Sequence, residues 1–255
     1  MFHDRLRASE PLVGGWVALS DPAVAELTAP EFDFLMLDTE HAPNDTETIA
    51  NLARAVDAAP GECVPLARAV DNDVGAIKRL LDLGVAGVMV PMVESVEEAR
   101  EAVAAANYPP EGNRGVAGAR ASRYGADLET YFERANEETV LLVQIETERG
   151  LEAVEDIAAV DGVDALFVGP ADLSANLGCF RAFDDDRFTE AVERVLAAGA
   201  ATDTPVGTLG TTPEATERFA AMGFDFLIAG VDFVHLQRGN QEIRDAADTA
   251  LGRDD

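Results

Sequence analysis

Short apolar segments rich in Val, Leu, Ile and Phe recur along the chain, and longer segments with helical spacing separate them. Runs of four to eight apolar residues are typical of strands that are buried on both faces. Eight such runs are predicted as strands: Leu12–Leu19, Phe34–Asp38, Val64–Ala67, Gly87–Val90, Val140–Ile145, Ala165–Val168, Pro205–Leu209 and Phe226–Ala229.

Several segments between these strands are predicted as helices. They include residues 44–59, 71–84, 95–106 and 212–223. The first begins with residues suited to a helix N-cap and places Ile49, Leu52 and Val56 on one face. The second ends on Gly84, a residue type that often follows the last turn of a helix.

Fully apolar strands that alternate with helices predict a parallel sheet that is covered on its outside. Eight such units in 255 residues predict a closed (β/α)8 TIM barrel that occupies residues 1–255 as a single domain. An open doubly wound sheet is the alternative, but no G-x-G-x-x-G turn follows the first strand.

One long loop, residues 107–125, interrupts the alternation between the fourth and fifth strands. Loops of this length in compact domains are usually functional or disordered. Arg114, Arg120 and Arg123 are concentrated in it, although basic residues are scarce in the chain. We therefore favour an anion-facing or subunit-facing role for this loop over a chance clustering.

The charge balance of the chain indicates the salt concentration in which the protein works. The chain has 48 acidic and 19 basic residues, a formal net charge of −29 and a single lysine, Lys78. Repulsion within such a surface is strong at low salt, whereas at 1 M salt the screening length is roughly 3 Å. We expect a protein from a salt-rich cytoplasm, with an ordinary acidic enzyme as the alternative. A nucleic-acid partner is not expected, because there is no basic stripe.

The sequence also argues against membrane and disulfide-rich classes. No apolar run approaches the roughly 18 residues that cross a bilayer. Residues 1–16 do not resemble a signal peptide, so we expect a cytoplasmic protein without a membrane partner. Cys63 and Cys179 are too few for a disulfide framework or a four-thiolate zinc site, and both are expected to be buried or half-buried.

Polar residues cluster where the predicted strands end. In a (β/α)8 barrel the active-site groups come from the carboxyl ends of the strands and the loops that follow them. These positions hold Asp38, Thr39, Glu40 and His41 after the second strand, Arg68 after the third, Gln144 and Glu146 at the fifth, and Gly169, Pro170, Ala171 and Asp172 after the sixth.

Glu146 and Asp172 follow consecutive strands, which lie roughly 4.8 Å apart in a sheet. Two carboxylates so placed repel each other unless a cation lies between them or one of them is protonated. Oxygen ligands without cysteine favour Mg²⁺ or Mn²⁺ over structural zinc. The alternative is that Glu146 is a salt-bridged residue at a strand end and Asp172 a helix cap.

Two further residues at strand ends have open roles. His41 suits proton transfer, but it could equally hydrogen bond a loop; His3 is expected in a flexible terminus, and His235 follows the last strand. Arg68 could bind a substrate carboxylate or an enolate oxygen, or it could neutralise a buried carboxylate of the protein.

The single lysine bears on the type of carbon–carbon bond chemistry. A Schiff-base aldolase needs a lysine that projects into the barrel mouth. Lys78 lies in the middle of a predicted helix on the outer layer. If the barrel cleaves carbon–carbon bonds, a metal ion must therefore supply the electrophile.

Six ordered motifs resemble the HpcH/HpaI aldolase family of metal-dependent class II pyruvate aldolases. They are FLMLDTEHAPND, VPLARAVDND, LLDLGVAGVMVPMVES, YPPEGNRGVAG, QIETERGLEAVEDI and VGPADLSANLG. The resemblance extends from about Gly14 to Gly239. The HpcH/HpaI aldolase family belongs to a larger group that includes citrate lyase β-like and malyl-CoA lyases.

The resemblance implies a role for each residue of the candidate site. Glu146 and Asp172 would hold Mg²⁺ or Mn²⁺, with Co²⁺ a third candidate, and no organic cofactor is expected. The implied substrate contacts are Trp16, Gln144, Gly169, Pro170, Ala171, Asp172 and Leu209. Arg68 would stabilise the enolate, and His41 would be the base, oriented by Asp38 and made more basic by Asp82.

Asp82 precedes the fourth strand, which places it at the opposite end of its own barrel. It could therefore reach a histidine only by an irregular path or from a neighbouring subunit.

The family implies a homo-oligomer, with a hexamer as the expected state. The implied reaction is reversible cleavage of a 4-hydroxy-2-oxo acid to pyruvate and an aldehyde. A citrate-type or CoA-ester lyase or synthase, and a barrel that binds without catalysing, are the alternatives. The identity of the aldehyde is left open: it could be one released in the breakdown of sugar acids or one released in the breakdown of aromatic acids.

Overall fold

The computed structural model describes residues 1–253, in which eight parallel strands close into a barrel in sequence order. The strands are β1 (Val13–Val17), β2 (Phe34–Asp38), β3 (Val64–Arg68), β4 (Gly87–Val90), β5 (Val140–Ile145), β6 (Ala165–Val168), β7 (Val206–Gly210) and β8 (Phe226–Val231). The ring closes because β1 pairs with both β2 and β8. The predicted (β/α)8 fold is confirmed, and the doubly wound alternative is wrong.

Helices cover the outside of this barrel. They are α1 (Phe2–Arg7), α2 (Pro22–Thr28), α3 (Thr46–Ala58), α4 (Val74–Asp82), α5 (Val96–Ala106), α6 (Leu128–Glu138), α7 (Glu148–Glu152), α8 (Val154–Ala158), α9 (Pro170–Asn176), α10 (Asp186–Thr202), α11 (Pro213–Met222) and α12 (Asp232–Leu251). The four predicted helices are slightly too long at their N-termini, because cap residues have extended backbone. Asp45, Asp73, Ser95 and Thr212 each accept a hydrogen bond in this position from the first turn of the following helix.

The first strand also ends earlier than predicted. Ala18 and Leu19 leave the sheet, and their amides donate to Asp232 Oδ2 at 3.0 and 2.8 Å. Asp232 is the first residue of α12 and is buried. This carboxylate therefore joins the end of β1 to the end of β8 at the mouth of the barrel.

The core has two layers. One fills the barrel with large side chains, including Phe34, Met36, Phe167 and Phe226, and the other lies between strands and helices. Gly14 on β1 lies against the Phe34 ring, where a Cβ would collide with it. The barrel interior is thus a packed core, and a ligand is expected at an end of the barrel.

The amino-terminal end of the barrel is closed by α1. Leu6 is 2% exposed, and His3 Nε2 lies 3.2 Å from Asp164 Oδ1. The expectation that His3 lies in a flexible terminus is therefore wrong, because α1 packs under the barrel. Cys63 is half-buried and Cys179 is buried, as predicted.

The last helix contrasts with the others. Beyond Val234, most described residues of α12 are exposed, including Leu236 at 57%, Ile243 at 75% and Leu251 at 70%. Within residues 1–253, no helix combines the length and apolar character needed to cross a membrane.

Candidate active site

A cavity of about 440 Å³ opens at the carboxyl end of the barrel. All predicted site residues except Asp82 and Glu146 line it: Trp16, Asp38, His41, Arg68, Gln144, Gly169, Pro170, Ala171, Asp172 and Leu209. Parallel strands that end at one rim bring these distant segments together. The volume lies within the roughly 300–1,000 Å³ range of small-molecule sites.

Arg68 is the most heavily constrained of these side chains. Its Nε and Nη2 donate to the two carboxylate oxygens of Asp38 at 2.9 and 2.8 Å, a two-point pairing. Its Nη1 lies 2.7 Å from Glu40 Oε2, and its guanidinium lies 4.6 Å from the Trp16 ring centroid. Asp38 and Arg68 are register partners at the ends of β2 and β3, which explains the pairing.

Both interpretations of Arg68 therefore remain compatible with its geometry. It neutralises a buried protein carboxylate, because Asp38 is 2% exposed. A guanidinium has five N–H groups, and the hydrogen bonds to Asp38 use two of them. N–H groups that these bonds do not use can donate to a substrate oxygen.

Asp38 holds Arg68 more closely than it holds His41. Its Oδ1 lies 3.5 Å from the backbone amide of His41, so the expected orientation of the imidazole by Asp38 is not what its contacts provide. His41 Nε2 lies 3.8 Å from Glu40 Oε1, and the His41 side chain is 68% exposed. His41 thus stands at the cavity mouth with its ring open to solvent or to another chain.

Glu40 is a polar residue whose importance the sequence did not reveal. It lies between the Arg68 guanidinium and the His41 ring. Burial raises the pKa of its carboxyl group, while the charges of Arg68 and His41 oppose that rise. The sequence feature that could have indicated a role for Glu40 is that Asp38 and Glu40 form an acidic pair just before His41.

Glu146 follows the end of β5 and is 3% exposed. Its Oε1 accepts from the Met92 amide at 2.9 Å, and its Oε2 accepts from Gln144 Nε2 at 3.0 Å. A Cβ at Gly169 would collide with Glu146 Oε2, so a glycine is required there. Glu146 thus adjoins the cavity through Gln144 and Gly169, which both line it.

Burial raises the pKa of the Glu146 carboxyl group to about 7. The Met92 amide and the Arg68 charge oppose this rise, whereas the charges of Asp172 and Glu40 add to it. Within residues 1–253, no lysine, arginine or histidine lies within ion-pair distance of Glu146. The alternative of a salt-bridged residue at a strand end is therefore wrong.

Asp172 lies in the first turn of α9, whose N-cap is Gly169, so Asp172 is not the cap of that helix. Its carboxylate is exposed to the cavity. Asn176 Nδ2 joins the two acidic segments, because it donates to the backbone oxygens of Glu146 and Asp172, each at 3.1 Å. The two segments that carry these carboxylates are therefore joined at one edge of the cavity.

The donor set at this edge suits a hard cation. Besides the carboxylates of Glu146 and Asp172, it contains Gln144 Oε1, which is buried and has no hydrogen-bond partner among the described residues. Carboxylate and amide oxygens are the ligands that Mg²⁺ and Mn²⁺ prefer. Within residues 1–253, no group of three or more His, Cys, Asp or Glu side chains is placed to hold a metal ion, so the candidate acidic ligands here are Glu146 and Asp172 alone.

Asp82 is not part of this cavity. It is the last residue of α4, and its Oδ1 lies 3.2 Å from Arg114 Nη2. Helices of the barrel run antiparallel to the strands, so the end of α4 lies near the amino-terminal rim. The sequence-based placement of Asp82 away from His41 of the same chain agrees with this position.

The long loop differs from its predicted role. Arg114 is fully buried and stacks on Tyr108 and Tyr131, with ring distances of 4.5 and 5.7 Å, while Arg120 pairs with Asp57 and the Leu83 carbonyl. For Arg114 the anion-facing or subunit-facing prediction is wrong, because its side chain is enclosed within its own chain. For Arg120, which is partly exposed, it stays a prediction. Arg123 is exposed.

The structure adds a second set of lining residues that the sequence did not single out. They come from the α9–α10 connection and from the start of α12, and include Phe180, Arg181, Phe183, Phe233 and Val234. Four of these five are apolar. The run CFRAF after α9 carried a signal, since exposed aromatic residues in a loop after a barrel strand are unusual.

Comparison with known proteins places this geometry in a family. Residues 12–238 match the family described as HpcH/HpaI aldolase/citrate lyase. The chain is 42% identical over 255 residues to the hydroxypyruvate/pyruvate aldolase of Delftia acidovorans, covering 99% of this chain and 91% of that one. It is 40% identical over 239 residues to the 4-hydroxy-2-oxovalerate aldolase of Novosphingobium aromaticivorans, covering 93% and 90%.

A solved structure agrees with these sequence relationships. The crystal structure of an HpcH/HpaI aldolase/citrate lyase family protein from Burkholderia cenocepacia superposes with a TM-score of 0.93 at 36% identity, covering 96% of this chain and 98% of that one. Sequence and fold therefore agree over nearly the whole length. The chain belongs to the HpcH/HpaI aldolase/citrate lyase family.

Proposed function

We propose that this protein is a divalent-metal-dependent aldolase that reversibly cleaves a 4-hydroxy-2-oxo acid to pyruvate and an aldehyde. The observation that carries the proposal is the buried Glu146 carboxylate, which has no cationic partner among the described residues and adjoins Gln144 and Asp172. The family relationship, with relatives named as aldolases, supports the same reaction.

Glu146 and Asp172 are the residues that would hold the metal ion, with Mg²⁺ and Mn²⁺ favoured and Co²⁺ a third candidate. When bound, such an ion supplies a Lewis acid that polarises the 2-oxo group. The buried oxygen of Gln144 and the mutual repulsion of the two carboxylates both favour a cation at this edge.

Arg68 supports the negative charge that develops on the 2-oxo oxygen when the bond between carbons 3 and 4 breaks. Its guanidinium is fixed by Asp38 and Glu40, so little reorganisation is needed during the reaction. Trp16 and Leu209 form apolar walls that exclude water beside it. A preorganised donor of this kind typically contributes about 100- to 1,000-fold to a rate.

His41 is proposed as the base that takes the proton from the 4-hydroxyl group. Bond cleavage then leaves the electron pair on the pyruvate fragment, and return of a proton to carbon 3 completes pyruvate. The exposure of the His41 ring suits exchange of that proton with solvent. Asp82 would raise the basicity of this histidine only from another subunit, since in its own chain it pairs with Arg114.

We propose a homo-oligomer, with a hexamer expected. The apolar residues Leu236, Ile243 and Leu251 of α12 are exposed in the single chain, and exposed stripes of this kind mark protein contacts. Light scattering in multimolar KCl should show particles several times the 27.0 kDa mass of the chain. Particles of one chain mass would contradict the proposal.

The reaction can be tested without knowing the aldehyde. Exchange of pyruvate methyl protons in D₂O, followed by NMR in multimolar KCl, should require added Mn²⁺ and stop with a chelator. Asp172→Ala, folded by circular dichroism, should lose this exchange. Absence of exchange by the folded wild-type protein with Mg²⁺, Mn²⁺ and Co²⁺ would contradict the aldolase proposal and favour the citrate or CoA-ester branch.

A further inference from the structure

The cavity has two chemically different parts. The part formed by the ends of β2, β3, β5 and β6 carries the polar side chains that the pyruvate half of the proposed reaction uses. The other part comes from the α9–α10 connection, α11 and the start of α12, and is mostly apolar. A cavity of about 440 Å³ has room for more than a pyruvate molecule.

The acceptor aldehyde must bind next to pyruvate, because the new bond joins the pyruvate methyl carbon to the aldehyde carbon. The second part of the cavity is the space available for it. Phe180, Phe183 and Phe233 provide apolar surface there. Arg181 is the cationic side chain that this part contributes to the lining.

The position of Arg181 is fixed by the local backbone. Its φ of 58° lies in the left-handed region, and its amide donates to Ser174 Oγ at 3.1 Å. Ser174 Oγ donates in turn to the Ala171 carbonyl at 3.0 Å. Arg181 is therefore tied to α9, the helix that also carries Asp172. Left-handed backbone is uncommon for a residue other than glycine.

The guanidinium of Arg181 forms no hydrogen bond or ion pair within residues 1–253, although the chain has a net charge of −29. Arg187 in the first turn of α10 behaves differently, since it pairs with Asp185 through Nε and Nη2 at 2.8 Å. An unpaired cation at the mouth of a cavity in so acidic a protein offsets the repulsion that an anionic substrate would meet.

We propose that Arg181 determines acceptor specificity by binding the anionic end of the aldehyde, a carboxylate or a phosphate group. A guanidinium matches the paired oxygens of either group. Phe180 and Phe183 would cover the carbon chain between that end and the reacting carbonyl. This inference rests on the proposed aldolase reaction and adds the chemical class of its second substrate.

The test compares matched anionic and neutral aldehydes in the addition direction, with saturating pyruvate and Mn²⁺ at one fixed KCl concentration. Succinic semialdehyde is paired with butanal, and glyceraldehyde 3-phosphate with glyceraldehyde. The wild-type kcat/KM should favour an anionic member by about 10- to 100-fold, the effect of a hydrogen bond to a charged group. Preference within only one pair identifies carboxylate or phosphate as the natural group.

Arg181→Gln should reduce that preference to near unity, mainly through KM for the anionic aldehyde, whereas Arg181→Lys should keep part of it. The matched control is Arg187→Gln, which removes the same charge six residues away and should leave the preference unchanged. A preference that persists within twofold in Arg181→Gln, or that is missing in the wild type, would overturn this inference. Pyruvate exchange by the wild type would show that the aldolase proposal survives.

Discussion

The two ends of the barrel each bury a carboxylate, and the surroundings of the two groups differ. At the amino-terminal end, Asp164 is 5% exposed, and both of its carboxylate oxygens contact nitrogen atoms of other residues. Its Oδ1 lies within 3.2 Å of His3 Nε2 and of two Arg7 nitrogens, and its Oδ2 accepts from the Leu141 amide at 2.8 Å. At the carboxyl end, Glu146 is 3% exposed and accepts from one backbone amide and one side-chain amide.

This difference distinguishes a structural carboxylate from the carboxylate that we propose binds a metal ion. Burial of a carboxylate is costly unless cations and hydrogen bonds replace its lost hydration. At Asp164 the protein supplies cationic side chains and hydrogen bonds, and these contacts hold α1 beneath the barrel. At Glu146 two hydrogen bonds offset the cost of burial only in part, and the pKa of its carboxyl group rises to about 7. Such incompletely satisfied buried groups mark functional sites.

The largest expected effect is on turnover. Glu146→Gln keeps the size of the side chain and removes the negative charge, so metal-supported cleavage of a 4-hydroxy-2-oxo acid should fall by about 1,000-fold or more. The folded state should persist, because no cation in residues 1–253 depends on Glu146 for pairing. The measurement is initial rate at saturating Mn²⁺, normalised to folded protein by circular dichroism.

The matched control lies at the other end of the barrel. Asp164→Asn removes a buried carboxylate in the same way, but turnover per folded molecule should stay within a few-fold of the wild-type value. If both substitutions reduced turnover equally, Glu146 would be another structural carboxylate and the comparison would fail.

The next effect is a pH dependence of stability in the metal-free protein. The pKa of Glu146 is about 7 in the folded chain and 4.5 in the reference state, so the folded state binds more protons between these values. The free energy of unfolding should therefore fall as the pH rises from 4.5 to 7, by about 3 kcal/mol at most from this group. Denaturant unfolding with chelator in multimolar KCl, at pH 5 and pH 8, measures it.

Glu146→Gln is the control for this pH dependence, because it removes the titrating group and leaves the acidic surface intact. Its loss of stability between pH 5 and pH 8 should be smaller than that of the wild type by the contribution of Glu146. Equal losses in the two proteins would show that Glu146 does not retain its proton on folding.

A smaller effect is expected on stability at the amino-terminal end. Asp164→Asn should lower the free energy of unfolding by about 2 kcal/mol, since hydrogen bonds to a buried charged group are lost. Glu155→Gln, which breaks an exposed pair with Arg194, should cost less than about 1 kcal/mol. Unfolding in multimolar KCl at constant pH compares them. A larger loss for the Glu155 variant would contradict the structural role of Asp164.

The strands of the barrel could be predicted because each is a short apolar run bounded by polar residues. The rim positions followed from them, since parallel strands end on one side. The pairing of Arg68 with Asp38 could not be predicted in this way. It depends on the register between β2 and β3, which places the two residues opposite each other and is not encoded by alternation in either strand.

Burial of a side chain by residues that are distant along the chain could not be predicted from the sequence either. Arg114 was expected to face an anion or a neighbouring subunit, but Tyr108 and Tyr131 enclose it. The proposed role of Arg181 could not be predicted from the sequence, because it depends on a cavity formed by segments far apart in sequence. Local spacing therefore located the polar rim of the candidate site, whereas the partners of each group required the three-dimensional structure.

The smallest expected effect concerns carboxylates that are neither buried nor paired. Glu193 on α10 is exposed, and Glu193→Gln should raise Tm by roughly 1 °C at low salt, because it weakens the repulsion among the 48 acidic residues. At multimolar KCl the gain should vanish, since exposed charges are then screened within a few ångströms. Differential scanning fluorimetry across a KCl series measures both limits, with Asp164→Asn as the contrasting variant whose loss persists in salt. A wild-type Tm that does not rise with KCl would contradict the expected adaptation to a salt-rich cytoplasm and would leave the acidic surface without a stabilising role for salt.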